Sequence, residues 1–337
     1  MEEKIPAAYH KTNRKKSWMV KVFQHGDRPW NILLVSMGLL ALILILLIGI
    51  MLWNDSSTGR EVTGINFILP TNDANWDPVS DNFQAWPFIY GTLITSLVAI
   101  VLAVPMGLGI AIFLAELCPG WLKAPIGLMI ELLAAIPSVV YGLWGIFVFL
   151  PAVIEPLGVF LGETLGMVPV LSTFFIGPIS GSGSSRLAAG VILAIMIIPT
   201  IAAVSRDVFL AIPATQREAS LALGATQWET ISKVLIPYGL SGILGAVILG
   251  LGRALGETMA VTMVIGNSIE SSYSLLRPGY TLSSVIANEF AEAVSQIHSE
   301  VLIAAALILF LITLILNTGA RLLVWSVARK TPQEVQG

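Results

Sequence analysis

The sequence predicts an all-α, polytopic membrane protein with six transmembrane helices. Composition is the first observation behind this prediction, because 55% of the 337 residues are hydrophobic and only 12% are charged. A soluble domain has about 25% charged residues, so this composition excludes a soluble enzyme, a nucleic-acid-binding protein and a disordered chain. The second observation is a series of almost uncharged stretches that reach the roughly 20 residues a helix needs to cross a bilayer. Inside lipid these stretches must be helical, since an open strand edge would leave backbone groups without hydrogen bonds.

Six stretches qualify as membrane spans. They are residues 31–53, 86–114, 125–150, 187–205, 238–266 and 301–322. A further apolar stretch, 164–185, is interrupted by Pro169, Pro178 and four glycines, so it is interpreted as part of a long loop. The first span is interpreted as a retained helix, because its apolar core is far longer than the about 7–15 residues of a cleaved signal peptide.

The distribution of Lys and Arg predicts the orientation of these spans. With six spans both termini lie on one side of the membrane, and that side holds 14 of the 18 Lys and Arg residues. Because basic loops remain in the cytoplasm, both termini are expected to be cytoplasmic. The resulting segments are a basic cytoplasmic segment at 1–30, extracytoplasmic loops at 54–85, 151–186 and 267–300, a membrane core at 86–325, a cytoplasmic loop at 206–237 and a cytoplasmic tail at 326–337.

The sequence offers little for catalysis or metal binding. The single cysteine, Cys118, excludes internal disulfides and cysteine-based metal sites, and His10, His25 and His298 are far apart in the sequence. No Gly-Lys pair occurs anywhere, so the chain lacks the phosphate-binding loop of an ATPase. We therefore predict no catalytic residue, no metal site and no cofactor bound by this chain itself.

The cytoplasmic loop at 206–237 is predicted to contain two short helices. Residues 214–223 can form the first helix, with Gly224 at its end, where a left-handed conformation favours glycine. Thr226 and Glu229 have the spacing of a capping box, which predicts the start of the second helix. Such a rigid element could receive a push from a soluble partner. The open alternative is an interfacial helix that only anchors the adjoining spans.

The same loop resembles the EAA motif of binding-protein-dependent ABC importer permeases. That motif reads E-A-A, three residues, G, nine residues, I-x-L-P. The chain has Glu218, Ala219, Ser220, Gly224 and Pro237 at the matching positions, with Ser220 in place of the second alanine. In that family the loop docks in a groove of a separate ATPase subunit. The resemblance therefore implies that these five residues couple the chain to an ATPase.

Four further stretches resemble the branch of this family that serves phosphate-specific uptake. They are residues 131–145, 188–209, 250–267 and 287–293. The resemblance covers about residues 86–325 and implies a type I ABC importer permease fold, phosphate as the substrate and a bacterial inner-membrane location. It also implies a homologous second permease, an ATPase dimer that binds ATP and Mg²⁺, and an extracytoplasmic phosphate-binding protein. Membrane lipid surrounds such a protein, and no nucleic acid is expected as a partner.

Two charged residues, Arg253 and Glu257, fall inside the fifth predicted span. On a continuous helix they would lie one turn apart on the same face. A charge at bilayer depth costs at least about 2.5–3.5 kcal/mol, so such residues face other protein or a water-filled path. A guanidinium offers a planar set of donors that suits a tetrahedral oxyanion, and Glu257 would hold it in place. Both residues are predicted to line the substrate path, and the alternative is a structural ion pair.

Three other carboxylates allow two interpretations each. Glu131 is interpreted as a snorkelling residue or a contact to a partner helix, in a span that Pro137 would kink. Glu289 and Glu292 are interpreted as one face of an outer-loop helix, or as a contact for a binding protein.

Two other transport functions remain open on the sequence alone. One is an importer for a different oxyanion, such as sulfate or molybdate. The other is a secondary transporter that works without ATP, although such a carrier has no reason for a docking loop at 206–237.

Overall fold

A computed structural model describes residues 27–70, 76–169, 171–177 and 181–328. Most of the predicted basic segment at 1–30 and most of the predicted tail at 326–337 therefore lie outside the described residues. The chain forms two compact units, residues 1–51 and 52–337.

The described part of the first unit is a single apolar helix. Helix α1 (Asp27–Asp55) is 29 residues long and ends just inside the second unit. At 1.5 Å per residue it measures about 44 Å, which exceeds the roughly 30 Å hydrocarbon core of a bilayer. Its residues 29–54 carry no charge, so its length and composition suit a membrane span.

The described residues of the second unit form a helical bundle and a short antiparallel β-hairpin, in which Trp76 pairs with Phe83. Its helices and strands are α2 (Ser57–Thr63), β1 (Trp76–Asp77), β2 (Asn82–Phe83), α3 (Trp86–Leu117), α4 (Gly120–Ala134), α5 (Ser138–Met167), α6 (Ser172–Phe175), α7 (Arg186–Ala211), α8 (Ala214–Ala222), α9 (Gln227–Gly256), α10 (Met259–Val264), α11 (Leu282–Glu289) and α12 (Gln296–Ala328). A 3-10 turn, Gly64–Phe67, follows α2. Within the described residues six helices are long and apolar enough to cross a membrane, namely α1, α3, α5, α7, α9 and α12. The predicted fold class is confirmed.

Helix α7 forms the centre of the second unit. In its most apolar window 67% of the residues are buried, against 28% in each of the other four long helices of this unit. Glycines allow close approach to α3, because a Cβ on Gly190 would lie 2.7 Å from Val98 and one on Gly107 would lie 3.0 Å from Ile201. We call the end of the bundle that carries α8 the loop end, and the end that carries the β-hairpin the hairpin end.

The predicted third span at 125–150 is wrong as a single helix. Helix α4 ends at Ala134 and α5 begins at Ser138. Pro137 lacks a backbone N–H and disfavours a helical conformation in the residue before it, which interrupts the hydrogen-bond pattern. The span thus consists of two helices, α4 and α5, separated by a break at residues 135–137.

Helix α5 extends well past the predicted end of the third span at residue 150. A π-helical segment, Gly145–Ile154, contains Pro151 without interruption, and the helix continues to Met167. Much of the segment predicted as an outer loop at 151–186 is therefore helical. Uncharged length alone could not locate this end, because Glu155 and Glu163 lie within the helix.

The predicted fifth span at 238–266 is also wrong at both ends. Helix α9 begins at Gln227, inside the predicted loop, and ends at Gly256. Glu257 has an extended backbone with φ −71° and ψ 126°, and α10 follows it. Helix α9 is continuous through Pro237, which follows a π-helical turn.

The other spans differ from prediction only at their ends. The predicted 31–53, 86–114, 187–205 and 301–322 become Asp27–Asp55, Trp86–Leu117, Arg186–Ala211 and Gln296–Ala328. The physical reason is that charged residues at the membrane surface continue a helix, whereas a search for uncharged stretches stops at the first charge.

Candidate functional site

The structure separates Arg253 and Glu257, which the sequence predicts on one helix face. Arg253 lies in the last turn of α9, and Glu257 lies beyond the helix end in an extended conformation. The ion pairs of the described residues do not include one between these two side chains. The prediction that the two side chains lie one turn apart on a helix is therefore wrong, because α9 ends at Gly256, one residue before Glu257.

Arg253 is half-buried and contacts α7. Its Nη1 donates a hydrogen bond to Thr200 Oγ1 at 3.2 Å. Arg253 thus joins the last turn of α9 to α7. The sequence gives no signal for Thr200 as a partner, because it lies 53 residues from Arg253 along the chain.

Glu257 connects α9 to the two helices that follow it. Its Oε1 accepts a hydrogen bond from the Ala260 backbone N–H at 3.2 Å, as an N-cap side chain does. Its backbone carbonyl accepts a hydrogen bond from Ser283 Oγ at 2.9 Å. The carboxylate therefore caps α10 and does not grip the Arg253 guanidinium.

Two helix breaks come together beside Arg253. The first separates α4 from α5, and there Tyr141 donates its hydroxyl proton to the Leu133 carbonyl at 3.0 Å. The second separates α9 from α10. The two breaks are neighbours because α5 and α10 touch, so that a Cβ on Gly142 would lie 2.5 Å from Met263 Sδ. Irregular backbone at membrane depth is tolerated where it is buried in protein or lines a water-filled cavity, and transporters use such broken helices to bind polar substrates.

The predicted first helix, glycine turn and capping box of the loop at 206–237 are confirmed, but the second helix is not short, because it continues as the spanning helix α9. Helix α8 is followed by Gly224 with φ +83°. Thr226 Oγ1 accepts a hydrogen bond from the Glu229 N–H at 3.2 Å, and the Glu229 carboxylate accepts one from the Thr226 N–H at 3.0 Å. A Cβ on Gly224 would meet nothing within 4 Å, so only backbone conformation restricts this position. The turn at Gly224 and the capping box together define how the chain passes from α8 to α9.

The predicted coupling residues differ in exposure. Glu218, Ala219, Gly224 and Pro237 are exposed. Ser220, which replaces the alanine of the motif, is half-buried and hydrogen-bonds Thr230 Oγ1 at 2.9 Å. Three apolar side chains of the same loop are also exposed, namely Leu221, Leu223 and Trp228. The loop end thus presents Glu218 and several apolar side chains at its surface, and Ser220 ties α8 to α9.

Two ion pairs at the loop end connect distant parts of the chain. Arg217 Nη2 on α8 lies 2.7 Å from Glu116 Oε1 at the end of α3. Arg206 Nη2 on α7 lies 3.2 Å from Glu131 Oε1 on α4, so Glu131 contacts a partner helix. A single sequence contains no signal for either pair, because 101 and 75 residues separate the partners.

The hairpin end carries a cavity of about 780 Å³. Its lining includes Trp76, Glu289, Glu292 and His298. Glu289 Oε2 accepts a hydrogen bond from Trp76 Nε1 at 2.7 Å and lies 3.0 Å from His298 Nε2. Glu292 is exposed. The half-buried Glu289 carboxylate therefore organises the wall of the cavity, and the exposed Glu292 carboxylate leaves its rim acidic.

The chain matches known proteins over most of its length. Residues 107–329 match the family described as binding-protein-dependent transport system inner membrane component. The chain is 44% identical to the phosphate transport system permease protein PstC of Pasteurella multocida (strain Pm70) over 319 residues, which are 95% of this chain and 96% of that protein. It is 42% identical to PstC of Mesorhizobium japonicum over 334 residues, 98% of each chain.

Solved structures share the fold. The crystal structure of a bacterial ABC transporter involved in the import of the acidic polysaccharide alginate contains a chain that aligns with a TM-score of 0.56. The alignment covers 93% of this chain and all of that one, at 16% sequence identity. At this identity the likeness extends to the fold and no further.

Proposed function

The chain is a multi-pass protein of the family of binding-protein-dependent transport system inner membrane components, and on that premise we propose that it is the permease subunit of a phosphate ABC importer. The observation that carries the proposal is the similarity to phosphate permeases along almost the whole chain. Phosphate enters the cytoplasm through this subunit, and a separate subunit hydrolyses the ATP. This division of labour agrees with a sequence that has no phosphate-binding loop.

The complex contains three other kinds of subunit. A homologous PstA-type permease completes the membrane pathway, two PstB-type ATPases bind ATP and Mg²⁺, and a PstS-type binding protein delivers phosphate outside the membrane. The ATPase meets Glu218, Ala219 and Gly224 on the exposed surface of the loop end, beside the half-buried Ser220. Pro237 is exposed within α9, ten residues after that helix begins at Gln227. The chain itself binds no cofactor.

The loop end faces the cytoplasm and the hairpin end faces outward. The excess of Lys and Arg on the loop-end side supports this orientation, and it puts both termini in the cytoplasm. The acidic rim at Glu292 then faces the binding protein. A free phosphate anion is repelled by that rim, so delivery by a docked binding protein is favoured over direct entry.

Arg253 lines the phosphate path between the helix breaks. Phosphate carries one or two negative charges near neutral pH, and removing them from water without a partner is prohibitive. A guanidinium offsets this cost with charge-assisted hydrogen bonds. Glu257 caps α10 and so maintains the break between α9 and α10 beside Arg253. Its negative charge limits how tightly Arg253 holds the phosphate anion.

Reconstituted vesicles test the function directly. Vesicles with the chain and its three partner subunits should take up radioactive phosphate only when ATP is inside the compartment that holds the ATPase. Vesicles that lack this chain are the control and should take up none. Uptake without ATP would contradict the ABC mechanism, and full competition by sulfate or molybdate would contradict phosphate as the substrate.

A further inference from the structure

Arg217 fastens α8 to the bundle through five hydrogen bonds. Three of them reach the Glu116 carboxylate: Nε to Oε1 at 3.0 Å, Nε to Oε2 at 3.1 Å and Nη2 to Oε1 at 2.7 Å. The other two reach backbone carbonyls, from Nη2 to Phe209 at 2.6 Å and from Nη1 to Ile212 at 2.8 Å. All five hydrogen bonds reach groups outside α8, so one side chain joins α8 to three sites.

These three sites belong to the ends of two spanning helices. Glu116 lies in the π-helical turn, Phe113–Leu117, that ends α3. Phe209 lies in the last turn of α7, and Ile212 follows directly after that helix. The last carbonyls of a helix have no partner within the helix, and Arg217 donates to two carbonyls at this end of α7, of which that of Phe209 also accepts the Ile212 N–H at 3.3 Å. The guanidinium thereby connects α8 to α3 and α7 at once.

Few other contacts hold α8. The helix has no buried residue. Ser220 provides one neutral hydrogen bond to Thr230, which is weaker than a bidentate bond between charged groups. The side chains of Arg217 and Glu116 are 23% and 12% exposed, so water screens this pair less than it screens a surface ion pair. The pair is the strongest described attachment of α8 to a spanning helix.

We propose that the Arg217–Glu116 pair is the mechanical link that transmits movement of α8 to the spanning helices. The proposal rests on the proposed function, because the ATPase supplies the movement. Without the pair, α8 would be joined to the bundle mainly by its chain connections to α7 and α9 and by the Ser220 hydrogen bond. Movement of the ATPase would then rotate α8 and leave the spanning helices in place. With the pair, α8 and the loop ends of α3 and α7 move as one body. Arg217 and Glu116 are thus positioning residues that touch neither phosphate nor ATP.

The first test replaces Glu116 with alanine in the complete complex. Glu116→Ala removes three of the five hydrogen bonds and leaves the two to the carbonyls. The variant complex should retain its ATPase subunits and still hydrolyse ATP, while the ATP consumed per phosphate imported rises about 5-fold or more, the lower end of typical coupling between sites. Glu131→Gln is the matched control, because it breaks the Arg206–Glu131 ion pair at the loop end without touching α8. It should leave the ratio unchanged.

A covalent link provides a second test that does not depend on one substitution. Glu116→Cys and Arg217→Cys are combined with Cys118→Ala, and a short bis-maleimide joins the two new cysteines in the assembled complex. The unlinked variant should waste ATP, and the link should restore phosphate import per ATP. If the linked protein stays uncoupled, or if Glu116→Ala transports as efficiently as the native protein, the mechanical link is wrong. A native complex without ATP-driven phosphate uptake would instead overturn the proposed function.

Discussion

Arg253 Nη1 donates a hydrogen bond to Thr200 Oγ1 at 3.2 Å, and this bond ties the last turn of α9 to α7. Thr200 follows Pro199, which has no backbone N–H, so α7 lacks one internal hydrogen bond at this level. A guanidinium has five N–H donors, and the described hydrogen bonds of Arg253 use one of them. Thr200 therefore fixes the direction of the guanidinium while most of its donors remain available to an anion.

Thr200→Val should reduce phosphate uptake about 10-fold, because it removes the hydrogen bond that orients Arg253 and a bond to a charged group contributes about 1.5–3 kcal/mol. Thr200→Ser keeps the hydroxyl and should transport normally. Uptake and subunit co-purification are measured together for both variants. Equal uptake by the two variants would show that Thr200 does not orient Arg253.

Arg253→Gln should abolish phosphate uptake, because the positive charge that offsets the desolvation of phosphate is lost. Arg253→Lys should also transport poorly, since an ammonium group cannot make the bidentate contact of a guanidinium. Co-purification of the ATPase subunits with each variant verifies assembly. Uptake by Arg253→Gln close to that of the native protein would exclude Arg253 from the path.

Glu257→Gln separates the charge of this residue from its capping role. The Gln side-chain oxygen can still accept the Ala260 N–H, so we expect the complex to assemble with normal thermal stability and to import less phosphate. Glu257→Ala removes the cap as well and should lower the free energy of unfolding by about 1 kcal/mol. Phosphate uptake and thermal unfolding in detergent are compared for the two variants. Native uptake by Glu257→Gln would mean that the residue acts through the cap alone.

Much of the loop end could be predicted because its structure is local. Residues adjacent in the sequence determine the turn at Gly224 and the capping box of Thr226 with Glu229. The number of membrane spans could also be predicted, because each span contains a long stretch of the sequence with few or no charged residues. The role of these residues in coupling stays a prediction.

The site around Arg253 could not be predicted because its determinants are distant. The end of α9 depends partly on Ser283, which binds the Glu257 carbonyl from 26 residues away. Thr200 is 53 residues from Arg253. A periodic pattern extends a helix through Glu257, whereas in the structure the helix ends at Gly256 and Ser283 binds the extended backbone that follows.

Gly224→Val should weaken coupling through strain in the turn. The position has φ +83°, where a β-branched residue costs about 1–3 kcal/mol. Gly224→Asn is the matched control, because asparagine tolerates this conformation better. Phosphate uptake and retention of the ATPase should fall with valine and be nearly preserved with asparagine. Since a side chain here meets nothing within 4 Å, a loss with both variants would point to direct contact with the ATPase instead of strain.

Cysteine labelling in intact cells tests the orientation. Val294 is 99% exposed near the hairpin end and Leu223 is 90% exposed at the loop end, so each can be replaced with cysteine at little structural cost. Cys118 is 5% exposed, and Cys118→Ala removes it as a background target. A membrane-impermeant maleimide should label the cysteine at position 294 from outside and reach the one at position 223 only after the cells are opened. Labelling of position 223 in intact cells would reverse the orientation, and with it the assignment of the loop end to an ATPase in the cytoplasm.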